Sequence, residues 1–248
     1  MLKEERQRQI MNELYGSGRV LVNNLCEEFH TSRDTIRRDL SDLEEQGILR
    51  RVYGGAIPQK VLTPAVDRRM YMGKDEKYVI AQKAIATLKP DSLVAIDGGS
   101  TNAIFASLIP LSFSLQVVTN SFPVAEELKK RPRVDVIFLG GRYNKVSDVV
   151  VGEFALQQVS CYRFDQCYLG LHGVDPVLGV SVPAPYEDEL PIKQAIVRAS
   201  REVNLMCVSS KLGQSTNYIV CGPEKVTRII CGKSIPPAQR EGYSCAFC

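Results

Sequence analysis

Residues 31–57 read TSRDTIRRDLSDLEEQGILRRVYGGAI, and the way this stretch folds decides how the rest of the chain is read. Thr31 followed by Asp34 has the spacing of a capping box, with the shorter Asp in place of Glu or Gln, so a helix is expected to start here. Ile36, Leu40 and Leu43 recur at i, i+4 and i+7 and lay one apolar stripe along it. Gly47 stands where a C′ glycine ends a helix. Beyond it the chain turns basic: Arg50, Arg51 and Lys60 occur with no acidic residue from 47 to 60, around Gly54-Gly55. The segment predicts a capped amphipathic helix, a glycine stop and a short basic hairpin.

Working upstream, Ile10 and Leu14 mark a first helix, and Leu25 and Phe29 mark a short second one opening near Asn23 or Asn24. Three small helices with a tight turn at His30-Thr31-Ser32 make a unit of helix-turn-helix type. Ser32, Arg33, Thr35, Arg37 and Arg38 lie off the apolar stripe, at the end of the third helix that meets base edges and phosphates in such units. Arg reads guanine bidentately or clamps a phosphate, while Ser and Thr hydroxyls position the backbone. Arg50 and Arg51 then suit a wing against the duplex. The competing reading is a solvated face: Arg38 stands four residues from both Asp34 and Asp42, and Arg37 three from Asp34, which allows intrahelical ion pairs. Residues 1–60 carry ten Lys plus Arg against ten Asp plus Glu, so any nucleic-acid surface is local.

The whole chain of 248 residues is 44% hydrophobic and 24% charged with a net charge of +3, ordinary for a globular protein of one large or two modest domains. It has neither an N-terminal apolar leader nor an apolar run near the ~18 residues of a membrane helix, so no membrane partner and a cytoplasmic location are expected. Eight cysteines lack paired metal-ligand spacing, and the single CxxC, Cys245 to Cys248, has no partner pair. They read as reduced, mostly buried thiols, and no metal is expected.

Residues 58–75, with Pro58, Pro64 and clustered charges, read as a linker. From 76 the pattern alternates: helices at 76–88, 101–109, 122–130, 152–160 and 187–201 with apolar strands at 93–96, 115–118, 134–139, 167–169 and 203–208. That pattern predicts a mostly parallel, Rossmann-like α/β sheet, whose ligands bind beyond the carboxyl ends of the strands. Asp97-Gly98-Gly99-Ser100-Thr101 ends the first strand and opens a helix, Asn120-Ser121 follows the second, and Gly140-Gly141 the third. The first loop suits an anion, with glycines for close approach, hydroxyl donors and a helix N-terminus; an ordinary capped turn is the alternative. Lys193, four residues after Glu189, and Lys211, after Ser209-Ser210, could complete the site. No GxGxxG or GxxxxGK[ST] occurs, so no nucleotide cofactor is expected.

Thr35-Ile36-Arg37-Arg38-Asp39-Leu40, Leu43-Glu44 and Arg51-Val52-Tyr53-Gly54-Gly55-Ala56 resemble the N-terminal domain of the DeoR family of bacterial transcriptional regulators. Asp97 to Thr101, Val118 to Ser121, Leu139 to Gly141, Gly170 to Asp175, Glu189 with Lys193, and Ser209-Ser210-Lys211 resemble its effector domain. The resemblance implies a winged helix-turn-helix at 1–57 contacting double-stranded operator DNA, Tyr53 included. It implies, at 76–233, a domain like ribose-5-phosphate isomerase in fold that senses a small phosphorylated sugar and forms a homo-oligomer. It further implies a repressor of sugar or carbohydrate metabolism genes. Val208 stands where the family usually has Asp, which bears on effector identity or on whether the site still works, and residues 234–248 match nothing in the pattern. A rival reading is a phosphosugar isomerase-like enzyme with an accessory DNA-binding module, in which Asp97, Glu189 and Lys193 are the acid/base groups.

Overall fold

The computed structural model describes residues 1–17, 19–58, 66–232 and 234–248. Lys60 and Pro64, assigned above to the basic turn and the linker, lie outside the described residues, as does Lys233. The chain divides into two units, Met1–Lys74 and Asp75–Cys248.

The first unit runs α1 (Lys3–Ser17), β1 (Val20–Leu21), α2 (Val22–Glu28), α3 (Arg33–Glu45), β2 (Leu49–Val52), β3 (Gly55–Pro58) and α4 (Val66–Tyr71). Helix α3 is capped by Ser32, not by Thr31. Ser32 is extended (φ −74, ψ 153) and its hydroxyl accepts the Thr35 N–H at 3.2 Å. The shift has a backbone cause. His30 turns into the left-handed region (φ 49) and Thr31 N–H still closes on Cys26 O at 3.1 Å, so the extended residue that a cap requires is the next one. Helix α2 begins at Val22 rather than at Asn23 or Asn24, following Leu21 with no side-chain cap. At the far end of α3, Gly47 (φ 65) completes a Schellman stop: Ile48 N–H reaches Leu43 O at 2.9 Å and Gly47 N–H reaches Glu44 O at 2.8 Å.

Strands β2 and β3 then pair antiparallel, Arg51 with Ala56 and Val52 with Gly55, and β1 adds to β3. Gly55 is obligatory there, because a Cβ would overlap the Val20 carbonyl oxygen. The interior is Ile10, Leu14, Val20, Leu25, Ile36, Leu40, Leu43, Leu49 and Ala56, the predicted stripes with the strand residues added. A half-buried Arg6 and a buried Asp39, Nε to Oδ2 at 2.5 Å with Nη2 to Oδ1 at 3.2 Å, fasten α1 to α3.

The second unit contains α5 (Lys74–Ile85), β4 (Leu93–Ile96), α6 (Ser100–Leu108), β5 (Leu115–Thr119), α7 (Phe122–Leu128), β6 (Val134–Phe138), β7 (Arg142–Asn144), β8 (Val149–Val151), α8 (Glu153–Ser160), β9 (Phe164–Leu169), β10 (Gly173–Asp175), β11 (Gly179–Val182), α9 (Leu190–Ala199), β12 (Ser200–Cys207), β13 (Tyr218–Cys221), β14 (Arg228–Cys231), α10 (Pro237–Arg240) and β15 (Ala246–Phe247). Its main sheet is seven-stranded, in the order β15-β14-β12-β9-β4-β5-β6, with every pairing parallel. The chain moves outward from β4 through β5 to β6, then returns to the other side of β4 for β9, β12 and β14. The order therefore reverses between β4 and β9, which is where an open parallel sheet leaves a crevice.

Four sequence expectations change. The helix expected at 187–201 is a 3-10 stretch, Ala184–Glu189, followed by α9, which opens with Pro191 in its first turn where a proline costs no hydrogen bond. Two hairpin elements add to the predicted alternation, β7–β8 and the β10-β11-β13 sheet. The tail, which matched no pattern, is part of the main sheet, with β15 parallel to β14 and Cys248 N–H bonded to Ile229 O at 3.0 Å. All eight cysteines are free thiols, but only Cys167, Cys207 and Cys231 are buried; Cys161 and Cys248 are exposed.

Candidate functional site

The first candidate surface lies on the helical unit. A groove of about 590 Å³ is lined by Arg33, Arg37 and Leu40 of α3, Val22 and Asn23 of α2, and Arg51, Val52, Tyr53, Gly54 and Gly55 of the hairpin. Tyr53 is fully exposed at the hairpin tip, beside Gly54 in the left-handed region (φ 81). Arg38 and Arg50 are exposed outside the groove, and the Ser32 and Thr35 hydroxyls bond each other at 2.9 Å.

The intrahelical ion pairs weighed above are absent among the described residues: no hydrogen bond or ion pair engages the side chains of Arg33, Arg37, Arg38 or Arg50. Of the two acids weighed, Asp42 pairs instead with Lys3 at 2.7 Å, and Asp34 is exposed and makes no ion pair among the described residues. Arg51 is the exception. Its Nε meets Glu44 Oε2 at 2.9 Å and its N–H meets Glu44 Oε1 at 2.8 Å, so Glu44 fastens the hairpin to α3. Those contacts, the backbone N–H first, hold the Glu44 carboxyl below its ordinary range.

The second candidate site sits at the β4/β9 reversal. Asp97, just past β4 and 1% exposed, accepts the Gly170 N–H at 3.0 Å and Lys193 Nζ at 2.5 Å. Lys193, also 1% exposed, donates to Gly170 O at 3.1 Å and lies 3.4 Å from Glu189, which Ser147 Oγ holds in turn. Burial pushes the Asp97 carboxyl upward against the pull of Lys193, and Glu189 adds to that push. Burial also disfavours the Lys193 ammonium, but Asp97 and Glu189 more than reverse this and keep it charged. Gly170 has no room for a side chain, since a Cβ would overlap Gly98 O.

The loop beyond Asp97 is built for backbone approach. Gly99 takes φ 126 as the N-cap of α6, offers no side-chain cap, and has open space where a Cβ would stand. A helix N-terminus uncapped by its own side chains leaves N–H groups for a ligand. Asn102 anchors the loop from below, donating to Asp97 O at 2.8 Å and Tyr168 O at 3.1 Å. Thr101 is 8% exposed in the first turn of α6. Ser121 approaches Gly98, its Cβ 3.9 Å from where a Gly98 Cβ would be, and its fully buried Oγ has no partner among the described residues. Asn120 donates to Val150 O at 3.0 Å, and Lys211 Nζ donates to Leu171 O, next to Gly170. Gly140 and Gly141 lie against β8 and α8, Gly140 beside Phe154 and Gln158. A Cβ on Gly141 would lie 2.7 Å from Val150 Cγ1 and 2.8 Å from Val151 O, so packing under β8 and α8 accounts for them.

Sequence reading missed two contributors. Lys77 of α5, 7% exposed, donates to Ser100 Oγ at 2.9 Å. Its signal was present, since 77, 80, 81 and 84 form one buried helical stripe that begins with a lysine. Ser147 lies on the turn between β7 and β8, a hairpin that the strand-helix alternation does not reveal. Among the described residues no group of three His, Cys, Asp or Glu could hold a metal ion, and no helix is long and apolar enough to cross a membrane.

A winged-helix unit followed by a parallel α/β unit with a strand-end crevice defines a two-part, ligand-responsive DNA-binding protein. The family model of the DeoR-like helix-turn-helix domain matches residues 6–60, and that of the DeoR C terminal sensor domain matches residues 73–233. The chain belongs to the DeoR family of transcriptional regulators. It is 33% identical over 217 residues to the glycerol-3-phosphate regulon repressor of Escherichia coli strain K12, covering 87% of this chain and 85% of that one. It is 30% identical over 247 residues to the HTH-type transcriptional regulator GlpR of Haloferax volcanii, covering 97% and 94%. Ribose 5 phosphate isomerase A from Neisseria gonorrhoeae overlaps 54% of this chain and 52% of its own at 19% identity and a TM-score of 0.40, too partial to decide any chemistry here.

Proposed function

We propose that the protein is an operator-binding repressor of carbohydrate-metabolism genes whose grip on DNA is set by a small phosphorylated sugar, and that it works as a homo-oligomer without catalysing turnover. The observation that carries the DNA half is the shared groove: Arg33 and Arg37 from the helix and Arg51 and Tyr53 from the hairpin line one surface, and the helix arginines are not engaged by acidic neighbours. The N-terminal turn of α3 meets base edges and adjacent phosphates with Ser32, Arg33, Thr35, Arg37 and Arg38, while Arg50, Arg51 and Tyr53 hold flanking phosphates. Arg51 does so while its Nε stays on Glu44.

On the effector side, Gly98, Gly99, Ser100 and Thr101 take the phosphate on backbone N–H groups and hydroxyls, with the buried Ser121 hydroxyl as a further donor. Asn120, Lys193 and Lys211 shape the rest of the pocket. Asp97 and Glu189 hold their lysine and serine partners, which suits binding better than proton transfer and disfavours the isomerase reading. An effector of this kind weakens operator binding by preferring the conformation that binds DNA less well.

Arg37→Ala and Arg38→Ala in the full-length protein test the DNA half, on the DNA flanking its own gene. Each is expected to lower affinity and to reduce the salt slope by about 0.9 for every phosphate the variant no longer neutralises, with unchanged thermal unfolding. Unaltered affinity in both overturns the interface. For the effector half, a sugar-phosphate panel is compared with the free sugars by thermal shift. A ligand at 100 times its dissociation constant stabilises by about 2.7 kcal/mol, and Ser100→Glu should abolish the shift while leaving DNA binding intact. Turnover of ribose 5-phosphate that disappears in Asp97→Asn would favour the enzyme instead.

A further inference from the structure

Helix α5 occupies a singular place in the chain. Its first residue, Lys74, is the last of the winged-helix unit, and the helix proper opens the effector unit. One face is fixed by Ile80, Ala81 and Ala84, none of which has measurable exposure. Its first turn is held differently, by polar contacts to two separate strand-end loops. Lys77 reaches Ser100 Oγ in the anion loop beyond β4 at 2.9 Å. Glu76 Oε1 accepts Ser209 N–H at 2.8 Å, which ties down the loop beyond β12 that carries Lys211. The backbone of the same turn is pressed against the end of β14, where a Cβ on Gly232 would lie 2.7 Å from Glu76 O. Lower down, Lys83 Nζ bonds Cys231 O at 2.7 Å.

We propose that this first turn of α5 both completes the anion site and transmits its occupancy to the winged-helix unit. The inference rests on the phosphate-sensing reading above. An ammonium buried to this degree and aimed at the hydroxyl that opens α6 stands where a bound phosphate must come to rest. Lys77 therefore takes a phosphate oxygen jointly with Ser100, as a point-charge donor. In doing so it draws the turn toward the anion loop, and the neighbouring Glu76 passes the displacement to the Ser209–Lys211 loop. Lys74 lies one helical turn before Lys77 and Pro58 is the last described residue of the wing, so movement at Lys77 is applied at the chain boundary between the units. Lys77 is a binding residue in this scheme, and Glu76 is a positioning residue whose removal leaves the phosphate contacts in place.

Hydrogen exchange by mass spectrometry on the full chain, with and without inorganic phosphate at matched ionic strength, tests this. Phosphate should slow exchange in peptides covering 97–102 and 209–213, and should also alter exchange at 66–77. In Lys77→Met the phosphate affinity should fall at least about tenfold, the loss expected for one charge-assisted hydrogen bond, and Lys77→Arg should restore most of it. In Glu76→Ala, phosphate should still protect 97–102 and alter exchange at 66–77, while the slowing at 209–213 disappears; slowing at 209–213 equal to wild type overturns the positioning role of Glu76. Protection at 97–102 with 66–77 unmoved in the wild type overturns the relay and leaves the sensor reading standing. Protection in Lys77→Met equal to wild type overturns the binding role. Absence of protection at 97–102 in the wild type overturns the anion site and this inference with it.

Discussion

Replacing Lys193 by Met removes a charge from the centre of the effector unit while nearly keeping the side chain's length. Asp97 loses a partner at 2.5 Å and Glu189 one at 3.4 Å, and both carboxyl groups remain in place at 1% and 4% residue exposure. Breaking a buried pair from one side costs about 3–5 kcal/mol, because the surviving charge keeps its desolvation penalty without its compensation. In a unit the size of Asp75–Cys248, about 1 kcal/mol moves the melting temperature by about 2–4 °C, so the expected loss is about 6–20 °C. The pH dependence carries the sharper test. Burial already pushes Asp97 upward, and without the ammonium it climbs further. A carboxyl raised in the folded state makes stability fall as pH rises from its unfolded value, near ~3.9, to its folded one. The deficit of Lys193→Met is therefore largest at neutral pH and narrows on acidification. Lys193 is raised as well, by Asp97 and Glu189, so while those carboxyls are ionised the wild type keeps this stabilisation below about pH 10.4 and loses it above. Scanning calorimetry of both proteins at pH ~7 and pH ~5, within the range where such linkage acts, measures the effect. Adding Asp97→Asn should recover part of it. A deficit that is the same at both pH values, or one untouched by Asp97→Asn, refutes the buried-pair account.

Ser32→Ala should cost about 1 kcal/mol through the loss of the cap, whereas Thr31→Ala should stay within about 0.5 kcal/mol as an ordinary surface change; equal losses in urea unfolding would return the cap to Thr31. Gly170→Ala should destabilise by about 1–3 kcal/mol, since its Cβ meets the backbone oxygen of Gly98, and a wild-type melting temperature would show that the loop yields freely. Burial pushes the Glu202 carboxyl up, but Lys89, Arg228 and Gln166 outweigh it and hold it below the ordinary range. Its contribution is thus present above the unfolded value of about 4.3 and lost as pH falls through the folded one. Melting curves of wild type and Glu202→Gln should differ at neutral pH and converge in acid, and a constant gap would contradict the assignment.

How much of this was legible in the sequence depended on whether a segment's structure is fixed by its own neighbours. The stop at Gly47 was readable because a Schellman motif closes within six residues, and the strand-helix alternation was readable because each apolar run carries its own period. Ser32 was missed as the cap because the choice between it and Thr31 is made by His30, whose positive φ nothing in the local pattern announces. The run Val149-Val150-Val151 is a strand signal by composition, but at three residues it becomes a strand only by pairing with Arg142–Asn144. The tail is a still stronger case: Ala246–Phe247 has no signal of its own and is a strand because β14 offers an open edge.

The same distinction explains the lysines. Lys193 and Lys77 sit on helix faces that are otherwise apolar, where a periodicity count records them as interruptions. A lysine at such a position is tolerated only if the fold supplies it with acceptors, and here it does so from distant strand ends: Asp97 and Gly170 for the one, Ser100 for the other. A buried cation that breaks an apolar stripe is therefore itself a sequence-level sign of a polar site on the facing sheet.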